Sequence, residues 1–83
     1  MKKIINGRKY DTETAKQICV GYFGNFGCKA VSLYQKENGE FFEHHRLDGR
    51  EWIDPIGKAE AMDFAAEQMD VDDYEKVFGE VCE

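Results

Sequence analysis

Cys19, Cys28, His44, His45 and Cys82 are the residues of this chain whose types bind borderline metals or act as nucleophiles. Their spacing favours neither chemistry. There is no C-x-x-C and no H-x-x-x-H, so the paired-ligand signature of a structural zinc site is missing. His44 and His45 are neighbours in a β-prone run, so they point to opposite faces and only one can join a given site. A cysteine–histidine nucleophile needs a thiol of lowered pKa in a cleft, and 83 residues leave little room for both. Ser32 is the only serine, and no G-x-S-x-G surrounds it. The run Asp70-x-Asp72-Asp73-x-Glu75 lacks the glycine and the final glutamate of a calcium-binding loop. The expectation is a protein that is not an enzyme, carries no cofactor or metal, and keeps its three cysteines as free thiols.

With catalysis set aside, charge is the informative bulk property. The net charge is −6, and it is unevenly spread: residues 1–50 carry +3 and residues 51–83 carry −9. An acidic side built from the last third follows, suited to a basic groove on another protein. Asp70, Asp72, Asp73, Glu75 and Glu80 are its candidate partner-binding residues. Phe23 and Phe26, set in the glycine-aromatic run 21–27, are candidate partner anchors because a loop cannot easily bury both. Direct nucleic-acid binding is disfavoured by the negative total, although Lys2, Lys3, Arg8, Lys9 and Lys16 would serve a small DNA-binding module. No apolar stretch approaches the roughly 20 residues of a membrane span. The basic opening Met1–Asn6 has too short an apolar run for a secretion signal, so the expected compartment is a host cytoplasm.

These residues must be positioned by a small scaffold. Apolar residues make up 42% of the chain, enough for one core and therefore one domain over 1–83. Asn6-Gly7 marks a tight hairpin turn between Lys2–Ile5 and Arg8–Tyr10. Asp11 reads as a helix N-cap, followed by an apolar stripe at Ala15, Ile18, Cys19 and Tyr22. Residues 29–47 read as a hairpin turning at Asn38-Gly39, with Tyr34 opposite Glu43, Leu33 opposite His44 and Ser32 opposite His45. Glu51–Asp54 reads as the last strand. Gly57–Met69 reads as a helix burying Ala59, Met62, Ala66 and Met69. A second helix, capped by Asp70 and stopped by Gly79, spans Val71–Phe78 with Tyr74, Val77, Phe78 and Val81 inward. The expected fold class is α+β: a three- to four-stranded antiparallel sheet, a short N-terminal helix and two C-terminal helices.

The opening Ile4-Ile5-Asn6-Gly7-Arg8-Lys9-Tyr10-Asp11-Thr12-Glu13-Thr14-Ala15 resembles a family of small proteins from phages and conjugative elements of Firmicutes. That family begins with a strand and then "NG-K-x-Y-D-T-E-T-A". Leu33–Phe42 looks like the family's central hairpin, and weaker likeness resumes at Ile53–Ala66 and Tyr74–Glu80. Small acidic phage proteins of this kind include inhibitors of CRISPR immunity. The resemblance therefore implies a stoichiometric inhibitor of a host defence complex, with an RNA-guided effector nuclease as the natural partner. The family pattern contains none of the three cysteines and departs in the glycine-aromatic run, so it lends neither of them a role.

Overall fold

The computed structural model describes residues 1–24 and 28–79. It contains β1 (Lys2–Ile5), β2 (Arg8–Asp11), β3 (Lys16–Phe23), β4 (Lys29–Gln35), β5 (Phe41–Leu47), β6 (Arg50–Ile56), α1 (Lys58–Gln68) and α2 (Val71–Phe78). β1 and β2 form one antiparallel pair, and β3-β4-β5-β6 form a four-stranded antiparallel meander.

The meander has two apolar faces, and each is covered. Leu33 and Phe41 meet Ala61 and Ala65 of α1, with Ile18, Cys19, Phe64, Tyr74 and Phe78 around them. Phe42 and Ile53 point the other way and meet Tyr10 of the β1–β2 hairpin, with Met1, Ile5, Ala15 and Tyr34 around them. Tyr10 meets the Phe42 ring edge-on at 5.5 Å, and Tyr34 stacks on it at 5.2 Å. Successive strand residues face opposite ways. Phe41 and Phe42 therefore sit in two different cores, separated by the sheet.

The expected N-terminal helix does not form. The molecule is richer in sheet than expected, with six strands in two sheets, and residues 16–23 are the edge strand β3. A β-bulge explains the misleading pattern. Pairing runs Gln17↔Tyr34 and then Cys19↔Leu33, so Ile18 is an extra residue. The bulge lets both Ile18 and Cys19 pack on the helix-side core, while Ala15 joins the opposite one. Two adjacent apolar residues on one side imitate a helical i, i+3, i+4 stripe. Asp11 does accept the Glu13 N–H at 2.9 Å, and the Ala15 N–H reaches the Asp11 carbonyl at 3.1 Å. That makes a single turn which the β-branched and aromatic residues beyond it do not extend.

The central hairpin also differs from expectation, by one residue. Tyr34 pairs with Phe42, Leu33 with Glu43, Ser32 with His44 and Val31 with His45. The connection is a three-residue loop: the Lys36 N–H donates to Glu40 O at 2.8 Å, and the Gly39 N–H donates to Lys36 O at 2.9 Å. Gly39 has φ +92°, which glycine adopts freely and which closes this longer turn. A slip of one residue exchanges faces, so Val31 and Leu33 share a side with Phe41, Glu43 and His45 rather than with Phe42 and His44.

α1 and α2 fall where the caps place them, but α1 buries a different stripe. Ala61 and Ala65 are fully buried and Phe64 is packed beside them, whereas Ala59 and Ala66 are exposed and Met62 is half-buried. Alanines at 59, 61, 65 and 66 make both sides of the helix apolar by pattern, and the contact surface decides between them. Two small residues let α1 lie close to the sheet, and Gly21 of β3 matches them. A Cβ added at Gly21 would stand 2.9 Å from Gln68 Cδ and from Cε2 and Cζ of Phe23. Gly21→Val should therefore displace the Gln68 side chain and the Phe23 ring and cost about 1 kcal/mol. Denaturant unfolding measures this, and an unchanged midpoint would show that α1 has slack at this contact.

Candidate functional site: the acidic helical elbow

The turn between α1 and α2 is built by Asp70. Its carboxylate accepts the Asp73 N–H at 2.9 Å, and the chain enters α2 at Val71. Tyr74 and Phe78, 4.9 Å apart, anchor α2, and Phe78 stacks on Phe41 at 5.6 Å. Val71 continues this stripe by one turn, but the core has ended there: Val71 is 67% exposed. It forms, with Ala66, Met69 and Tyr74, an apolar notch of about 250 Å³.

Acids lie close to these notch residues along the sequence. Asp63, Glu67, Asp70, Asp72 and Asp73 are exposed, and the segment from Lys58 to Phe78 holds seven acids against two lysines. Lys76 is 3.7 Å from Asp73 in an exposed pair of little consequence for stability. The elbow therefore offers an apolar notch on an acid-rich helical segment.

Of the residues expected to bind a partner, Asp70, Asp72 and Asp73 lie together here. Glu75 is half-buried further along α2. Glu80 and Phe26 lie outside the described residues, as do Val81 and Cys82. Phe23 is 38% exposed, and its ring lies 6.3 Å from that of Phe64, so it leans on α1 instead of projecting freely. Asp70 has a structural duty that its neighbours lack. Val71 was missed by sequence reasoning, although its i−3 spacing from Tyr74 marks a stripe longer than the core it serves.

The basic residues gather on the opposite layer. Lys2, Lys3, Arg8 and Lys9 are exposed on β1 and β2. Arg8 pairs with Glu40, and Lys36 lies 4.4 Å above the Tyr10 ring while holding Glu40 at 3.1 Å. Asn38 and then Lys36 hold the Glu40 carboxyl below its ordinary range. These contacts clip the β1–β2 hairpin to the β4–β5 turn and occupy part of the positive charge.

The Cys19 thiol is not an activated nucleophile. Burial, and then the charge of Glu43, push the Cys19 thiol up to about 11, which keeps it protonated. Cys28 is exposed. His44 is held by Glu51 at 2.8 Å on the face away from the helices. No helix among the described residues is long and apolar enough to cross a membrane.

Comparison with protein-family profiles, with curated proteins and with solved structures returns no match to this chain.

The cap separates structural from surface acids. Asp70→Ala should cost about 1 kcal/mol through loss of the Asp73 N–H bond. Asp72→Asn should change stability by less than about half that. Equal losses in thermal unfolding would remove the distinction.

Proposed function

We propose that this protein acts by stoichiometric binding, through its acidic helical elbow, to a basic groove of a nucleic-acid-handling complex of the host. An RNA-guided effector nuclease is the proposed partner class, because its channels are lined with Lys and Arg that hold guide and target. The observation that carries the reading is the apolar notch at exposed Val71 on a helical segment whose Asp63, Glu67, Asp70, Asp72 and Asp73 are also exposed. A solvated helix face alone would account for the acids, and the apolar notch beside them supplies what a partner side chain could anchor in. The resemblance of residues 4–15 to phage and conjugative-element proteins supports the same reading, in which the protein would act in a host cytoplasm. The exposed acids would speed encounter, and the notch would hold the complex once docked.

A second reading rests on the four exposed cations of β1 and β2. They form a small positive layer on the side away from the elbow, which would suit contact with a phosphate backbone. The negative total charge and the Arg8–Glu40 pair count against it.

One experiment separates them. The protein is added at equimolar ratio to RNA-guided nucleases on cleavable target DNA, beside two variants. Asp63→Lys/Glu67→Lys/Asp72→Lys reverses three exposed acids of the elbow, and Val71→Ala empties the notch. Cleavage should be blocked by the parent, restored by the reversal, and blocked about fivefold less tightly by Val71→Ala. These side chains are solvated, so both variants should stay folded by circular dichroism. A reversal variant that inhibits as well as the parent would sink the elbow mechanism. Inhibition that instead disappears on Lys2→Glu/Lys9→Glu and tracks duplex-DNA binding with a steep salt dependence would establish the second reading.

A further inference from the structure

The register of β5 and β6 places two carboxylates directly opposite one another. Glu43 pairs with Asp54 across the two strands, and His45, two residues along β5, shares their face. One donor atom from each of the three lies within 4.8 Å of the other two. Like charges directly opposite in a sheet are destabilising unless a cation lies between them. Among the described residues no Lys or Arg pairs with either carboxylate, and the nearby Lys29 ammonium lies over the Trp52 ring at 5.9 Å. The ion partner of Glu43 is His45 itself, with Nε2 3.1 Å from Oε1, and Asp54 has no ion pair among the described residues.

The imidazole is held in place by packing. His45 stacks on Trp52 at 5.1 Å with ring planes 10° apart, and its side chain is 13% exposed. Nδ1 is enclosed with no hydrogen-bond partner, so Nε2 is the nitrogen left to meet a ligand, and it faces the carboxylates. Glu43 is 16% exposed at its side chain, while Asp54, on the edge strand, is open to solvent. The cluster therefore has a dry floor, a fixed nitrogen and a wet entrance.

We infer that Glu43, His45 and Asp54 form a binding site for one first-row divalent transition cation, with water completing its coordination. One imidazole and two carboxylates are a borderline-to-hard donor set, suited to Zn²⁺, Co²⁺ or Mn²⁺ and poorly suited to Ca²⁺, which takes six or more oxygens. The cation neutralises the opposed carboxylates and ties β5 to β6. It does not involve the cysteines. The inference is independent of the elbow and of any partner bound there.

Trp52 is the only tryptophan of the chain and touches the proposed ligand, so its emission reports the site. Chelator-treated protein is titrated with cobalt chloride and with zinc chloride, and calcium chloride serves as the control. Cobalt should quench Trp52 with one-site saturation, zinc should compete with it, and calcium should do neither. Asp54→Asn, an exposed substitution that leaves the fold intact, should weaken binding by about tenfold or more, and His45→Gln should abolish it. Absence of a saturable change with either metal up to about 1 mM, a range in which bound metal would stabilise measurably, overturns the site. Saturable binding that survives Asp54→Asn unchanged also overturns it, because the metal would then be held by thiols.

Discussion

The central hairpin must bury both of its faces at once, and the rest of the structure depends on that constraint. Leu33 and Phe42 are completely buried, yet they point to opposite sides of a single sheet. One cover would leave one of them in water. In so short a chain the two covers have to be minimal: a pair of short helices on one side and a four-residue-stranded hairpin on the other. A fully buried Leu or Phe contributes about 1.5–3 kcal/mol relative to its exposed state, so loss of either cover would remove a large share of the net stability. The Arg8–Glu40 and Lys36–Tyr10 contacts make sense in this light, since they hold the smaller cover in register at its open end.

The same two-sided burial sorts charge. The hairpin cover comes from the basic start of the chain and the helical cover from the acidic end. A difference along the sequence thereby becomes a difference between two opposed surfaces. Glu43 on the interior strand β5 and Asp54 on the edge strand β6 add an opposed carboxylate pair on the same sheet face as Leu33 and Phe41. Three electrostatic regions of different character therefore arise from one topological requirement, and each can meet a different kind of ligand.

Where local chemistry decides, the sequence is legible. Asn6 at φ 51° and Gly7 at φ 75° form the expected tight turn, Asp70 caps α2, and Gly79 ends it at φ 90°. Asp48 and Gly49 make a second tight turn of the same sort between β5 and β6, at φ 49° and 81°, and an Asp-Gly pair is an equally good signal for it. Where tertiary contact decides, legibility ends. The bulge at Ile18 erased the alternation of β3, and the alanine-rich α1 offered two equal faces. The extra loop residue before Glu40 moved every partner of β4 by one. The opposed Glu43 and Asp54 follow from that register and from the pairing of β6, so their cluster could not be read from spacing. The elbow was half legible, because its acids are a charge run while its anchor depends on where the core stops.

The order of the strands has a kinetic consequence. Every strand of the meander pairs with its neighbour in sequence, and β1 with β2 and α1 with α2 are adjacent as well. No pairing waits for a long loop to close, so the entropic barrier is divided into several small closures. Chains of such low topological complexity fold on a scale of about milliseconds, without the slow search that exposes unpaired edges. The turns at Asn6-Gly7 and Asp48-Gly49, each fixed by its own two residues, are the natural places for that process to begin.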